Sequence, residues 1–271
     1  MSSESNIAPA GLGARTGASM DVATEVAAGL AGVAADSSRD ERRLVWDLPV
    51  RIFHWLFAAS ILASWGTAEL GFSWMKWHIR LGYWMIGLLS FRVLWGFVGP
   101  RHARFTSFLK GPRSVWRYAK GLAGADEEIH TVGHNPLGGL MVIIMLLLVS
   151  FQVSTGLFAT DDIAWTGPYY PTVSNGTAEY LTGLHHFNFN LIWAAIGLHI
   201  GAILYYAFIK RQNLVPAMLH GHKPAAMVPL GHHIPSSQLW KAFAVMVVSA
   251  AIVYAVFAGA PQVSANSFSF G

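Results

Sequence analysis

Five apolar runs set the pattern of this chain, at about Val50–Ala68, Trp77–Val98, Pro136–Thr160, Gly183–Ile209 and Leu239–Ala260. Roughly 20 apolar residues cross a hydrocarbon core of about 30 Å, so each run predicts a transmembrane helix. Three longer polar stretches separate or precede them. Met1–Asp40 is rich in Ala, Gly and Ser. Arg101–His134 is a basic loop whose Trp116 and Tyr118 predict a helix lying along the headgroups. A His-rich stretch after Lys210-Arg211 runs to Gln238. Met1–Asp40 has no compact apolar core behind a basic start. It is expected to be a flexible, poorly ordered cytoplasmic extension and not a secretory signal peptide, with a docking segment for a partner as the alternative.

Within the fourth run, helix geometry sorts three histidines. His185 and His199 are 14 residues apart, which at about 100° per residue brings them to within about 40° of one face. His186 falls about 140° away from His199. At 1.5 Å per residue the two same-face histidines are about 21 Å apart, one in each leaflet. Ionisable side chains at that depth are rare and usually functional.

Composition agrees with a membrane protein: 54% of residues are hydrophobic and 12% charged, the latter about half the share of a soluble domain. With no cysteine in the chain, disulfides, thiolate-held clusters and thioether attachment are excluded. The net charge of +4 marks topology and not a nucleic-acid surface. Of the 18 Lys and Arg, five lie in Met1–Arg51, six in Arg101–Lys120 and four in Lys210–Lys241, whereas Asp161–Thr182 has none. The positive-inside rule then places the N-terminus in the cytoplasm and, after five spans, the C-terminus in the periplasm of a bacterial inner membrane.

Depth pairs the histidines. His54, early in the first span, matches His199 at the inner level; His78, at the start of the second, matches His185 at the outer level. Zinc would want a third or fourth ligand, and no Cys, Asp or Glu lies at these depths. Two imidazoles suffice for haem, whose porphyrin supplies four nitrogens and whose filled axial positions favour electron transfer over oxygen chemistry. Taken singly, His54 or His78 also reads as an interfacial histidine, and His186 as a packing residue or an alternative outer ligand. Arg92, 14 residues after His78, needs a counter-ion inside the membrane, for which a haem propionate is the candidate and snorkelling the alternative. Arg51, and less directly Arg80, are candidates for the same role at the two surfaces. His102, His130 and His134 read as loop histidines. The cluster His220, His222, His232 and His233 reads as an adventitious metal binder at most.

Several motifs extend the reading. They are Trp46-Asp47-Leu48-Pro49-Val50-Arg51-Ile52-Phe53-His54-Trp55, His78 followed by Leu81-Gly82-Tyr83, Phe91-Arg92-Val93-Leu94-Trp95-Gly96-Phe97-Val98-Gly99, Gly133-His134-Asn135-Pro136-Leu137-Gly138, Thr155-Gly156-Leu157-Phe158 and Gly197-Leu198-His199. As a set, from about Val45 to Pro224, they resemble the prokaryotic dihaem cytochrome b family of nickel-iron hydrogenase cytochrome b subunits and related quinone-linked proteins. The resemblance implies haem ligands from helices one, two and twice from four, matching His54, His78, His185 and His199. Many relatives carry an acidic residue where this chain has His186.

The expected fold class is an all-α integral membrane protein, a four-helix bundle with bis-histidine sites for two haem b, plus a fifth C-terminal transmembrane helix. The expected division is an extension (1–40), a dihaem unit (41–224), and a His-containing linker with the fifth helix (225–271). The expected function is electron transfer between a quinone pool and a protein partner such as a cytochrome c or a dehydrogenase. A self-contained superoxide:quinone oxidoreductase is the alternative, and a non-redox anchor or metal transporter the remaining class. An outer loop with acids and no Lys or Arg favours a positively charged protein partner over superoxide.

Overall fold

A computed structural model describes residues 25–26, 41–123 and 131–261. The expected extension (1–40), save Glu25 and Val26, and His130 lie outside the described residues. The protein is predominantly helical, and five helices are long and apolar enough to cross a membrane.

Strand β1 (Arg42–Leu44) leads into α1 (Leu48–Glu69) through Asp47, whose side chain caps the helix by accepting from the Val50 amide at 2.9 Å. Pro49 stands in the first turn, where its missing N–H costs nothing. After a single 3-10 turn (Phe72–Trp74), α2 (Met75–Val98) returns antiparallel to α1, tied by Trp84 Nε1 donating to Ser60 Oγ at 2.9 Å. Two short helices follow, α3 (Phe105–Phe108) and the amphipathic α4 (Pro112–Ala123). On α4 the Trp116 ring is exposed while Tyr118 is buried against the bundle, which fits the expected helix along the headgroups. Helix α5 (Pro136–Gly156) is capped by Asn135, and α6 (Asn175–Phe208) by Ser174. Helices α5 and α6 pack along one another, with Asn188 Nδ2 reaching Leu148 O at 2.9 Å and Gln152 Oε1 at 2.7 Å.

The His-rich stretch is built, not loose. It holds α7 (Val215–His220) and β2 (His222–Pro224), which pairs antiparallel with β1, Leu44 opposite His222. Gly221 makes this joint possible. Its φ is +86°, and an added Cβ would meet Trp46 O at 2.6 Å. The Val45 and Trp46 amides both donate to Gly221 O, and the Ile234 amide donates to Leu44 O. Helix α8 (Leu239–Ala258) then packs on α2.

Two apolar clusters fill the bundle. One, at the basic end, centres on Val45, Trp46, Trp95, Val228 and Val245. The other lies at mid-depth around Phe57, Met85, Leu88, Val149 and Ile192. The outward faces of the helices carry large exposed apolar side chains, such as Leu147, Phe187 and Phe243, as lipid-facing helices require.

One boundary differs from the expectation. Helix α6 begins at Asn175, eight residues before the apolar run, because Ser174 caps a polar first two turns that hydropathy alone does not count. His185 therefore sits about three turns inside the helix and not at its start.

Candidate functional site

The bundle brings four of its histidines together in two pairs. The His54 ring on α1 and the His199 ring on α6 have centroids 6.3 Å apart. The His78 ring on α2 and the His185 ring on α6 have centroids 6.1 Å apart. Because α6 runs unbroken from one pair to the other, the levels are separated by about 21 Å of helix. Ile192 and the mid-depth apolar cluster occupy the interval.

The spacing within each pair suits a metal held between opposed rings. An imidazole nitrogen ligates at about 2 Å, which puts each ring centre about 3 Å from the metal and the two centres about 6 Å apart. At the outer pair the second ring nitrogens are already engaged. His78 Nδ1 lies 2.8 Å from Ser64 O, and His185 Nδ1 lies 2.9 Å from Gln152 O and 3.2 Å from Thr155 Oγ1. Since only Nδ1–H can serve a carbonyl acceptor, both rings present Nε2 as a lone pair, the arrangement that orients ligating histidines. Gly156 lets the ring approach α5. A Cβ there would stand 3.0 Å from His185 Cε1.

His186 points away from this pair on an exposed face of α6, its ring 6.2 Å from that of His185. At the inner pair, His54 Nδ1 is enclosed without a hydrogen-bond partner. Among the described residues no group of three or more His, Cys, Asp or Glu is placed to hold a metal ion. The donor set is thus two imidazoles per level, which fits haem and leaves a closed zinc site short of ligands.

Two of the candidate arginines, Arg92 and Arg51, lie at the basic end. Arg92, 3% exposed, donates to Ala103 O at 3.3 Å and lies over the Phe105 ring at 4.9 Å. Arg51 donates to Leu219 O at 2.5 Å, with its Nε enclosed and unpartnered. Arg80 lies over the Trp77 ring at 4.7 Å at the opposite end.

Two polar residues beside the inner level were not visible as more than loop and entry residues in the sequence. Asp47 is fully buried. It accepts from the Trp95 indole at 3.0 Å as well as from Val50, and its second carboxylate oxygen has no partner. Burial holds its carboxyl above the usual carboxylate range, against the lowering pull of its hydrogen bonds and of Arg92. His134 is wedged between Trp46 (centroids 4.6 Å) and Phe108 (4.5 Å), with its Nδ1 enclosed and unpartnered. Burial, reinforced by the neighbouring Arg92, pushes its pKa down to about 3, so it is neutral at physiological pH. His102 is likewise buried, its Nε2 lying 2.7 Å from His232 O. His220 and His222 contact each other, and His232 Nδ1 lies 3.4 Å from Leu230 O.

A family model described as prokaryotic cytochrome b561 matches residues 45–221. Among curated proteins, the chain is 28% identical over 217 residues to a probable Ni/Fe-hydrogenase B-type cytochrome subunit of Rhodobacter capsulatus, covering 66% of this chain and 80% of the relative. A protein of the same description from Bradyrhizobium diazoefficiens is 25% identical, covering 74% of this chain and 96% of the relative. One from Cupriavidus necator is 23% identical, covering 71% and 91%. No solved structure matches the chain.

Proposed function

Because the chain belongs to the prokaryotic cytochrome b561 family, and so is a multi-span membrane cytochrome that carries haem b and transfers electrons, we propose that it holds two b haems and links a quinone pool to a protein redox partner. The observation that carries this reading is the pair of bis-histidine levels, His54 with His199 and His78 with His185, on one continuous α6. Haem b between two imidazoles supplies one-electron chemistry without an open coordination position. The chain's own part is to hold the rings. Ser64 O and Gln152 O fix the outer imidazoles with Nε2 inward, while the mid-depth apolar cluster keeps water out between the levels. Arg92, 3% exposed, and Arg51, three residues before His54, are the cations we assign to propionate charges at the inner level. That role would require Arg92 to turn from Ala103 O.

The division proposed is a haem-holding unit (41–224) with an attached segment and fifth helix (225–271); α8 lies outside the family match and packs on α2. Charge asymmetry supports an inner-membrane orientation with the N-terminus cytoplasmic and the C-terminus periplasmic. The loop joining α5 to α6 then faces the periplasm. Asp161 there accepts the amides of Ile163, Ala164 and Trp165, which holds its carboxyl below the usual range and keeps it charged. The relatives' description as hydrogenase cytochrome subunits makes a hydrogenase-type dehydrogenase the first partner to try at this acidic face.

The test uses proteoliposomes that contain the purified chain and a quinone. With a partner dehydrogenase and its substrate, the b-type bands are expected to become reduced and then reoxidised as quinone is consumed. Superoxide alone is expected to leave the quinone oxidised; quinone reduction by superoxide without a partner would sink the partner-linked reading.

A further inference from the structure

Between the basic ends of α2 and α8 lies a cleft of 260 Å³ that the electron-transfer reading does not use. Arg101, Arg104 and Lys241 line it together with His233 and Gln238, and no Asp or Glu does. Among the described residues the only ion pair is Arg43 with Glu41, so none of these three cations is neutralised by a carboxylate there. Like charges gathered in a concavity repel unless an anion joins them.

The cleft is shaped before any anion arrives. Arg101 Nη1 donates to Gly231 O at 3.0 Å, which fixes that side chain without cancelling its charge. The turn carrying Arg101 and Arg104 is closed by the Ala103 amide donating to Pro100 O at 2.9 Å and by Ser107 Oγ donating to Arg104 O at 2.7 Å. Helix α8, 20 residues long, starts at the cleft with Gln238 in a left-handed conformation and no side-chain cap. Its first amides add positive potential on the same side.

Position selects the kind of anion. Beside the cleft, α2 presents Phe97, next to the lining Val98, at 65% exposure, and α8 presents Trp240, next to the lining Lys241, at 75%. An anion seated among the cations there has exposed apolar side chains beside it, where an acyl chain fits and a free ion gains nothing. Basic pockets between transmembrane helices at the membrane surface suit acidic headgroups. We propose that this cleft binds a phosphate-bearing anion, namely the headgroup of an anionic phospholipid in the leaflet at the basic end of the bundle. The inference stands apart from the haem assignment, since no haem-pairing histidine lines the cleft.

Native mass spectrometry of the full chain in mild detergent tests it, with phosphatidylglycerol, phosphatidylcholine and inorganic phosphate added separately. Wild type is expected to retain phosphatidylglycerol and to lose phosphatidylcholine. Arg104→Gln and Lys241→Gln, both at exposed side chains, are expected to weaken phosphatidylglycerol binding about fivefold each and about 25-fold together. Lys210→Gln with Arg211→Gln, the same charge change outside the cleft, should leave it unaltered. Unchanged haem content and melting temperature certify that each variant is folded. Equal retention of the two lipids, or equal binding by the cleft pair and the control pair, would overturn the proposal. Binding of inorganic phosphate without phosphatidylglycerol would reassign the cleft to a free anion and overturn the lipid assignment.

Discussion

His185→Ala is expected to purify with one haem b per chain in place of two, the remaining one belonging to the inner level. The His185 ring is held by Gln152 O and Thr155 Oγ1 with Nε2 turned toward His78, and no other imidazole can take its place. His186 is next in sequence but stands on the exposed face of α6, about 100° around the helix. His186→Ala should accordingly retain both haems, with at most a shifted potential. His54→Ala and His199→Ala should each remove the inner haem and leave the outer one. The readout is the pyridine-haemochrome ratio to protein, with a redox titration to identify which component is missing. Loss of a haem in His186→Ala with none lost in His185→Ala would mean that α6 is rotated at that level.

The second large effect is expected at Asp47. One carboxylate oxygen caps α1 through the Val50 amide and accepts from the Trp95 indole, at the centre of the basic-end cluster. Asp47→Ala removes the cap, worth about 1 kcal/mol, and strands a buried indole N–H, worth about 1–3 kcal/mol. A loss of about 2–4 kcal/mol is therefore expected, read as a lowered melting temperature in detergent. Asp47→Asn keeps an acceptor for both donors and should lose much less. The carboxyl's raised pKa gives the pH sign. The folded state binds the proton more tightly than the unfolded chain, so this group favours folding below the unfolded value of 3.8 and loses that contribution as pH rises through the raised folded value. The melting temperature of Asp47→Asn relative to wild type should thus improve from acid to neutral pH. A melting temperature of Asp47→Ala equal to wild type would show that the cap and the indole bond carry no stability.

The long apolar runs made the five spans legible, and the 14-residue spacing of His185 and His199 made their shared face legible. Both are local periodicities, which a single sequence states directly. What stayed hidden depends on partners far along the chain. Asp47 looks like a polar residue before a helix until Trp95, 48 residues later, closes over it. His134 looks like a loop residue until Trp46 and Phe108 flank it. The pairing of Leu44 with His222, which lie before and after the four-helix unit in sequence, leaves no trace in either three-residue strand. The outer-level acceptors Ser64 and Gln152 act through backbone carbonyls, so their side chains gave no signal.

The account's central claim is that each level binds one haem between two imidazoles, and counting haem against protein tests it most directly. Wild-type chain purified in mild detergent should give about two non-covalent haem b per chain by pyridine haemochrome. A ratio near one would contradict one histidine pair, and a ratio near zero would contradict both.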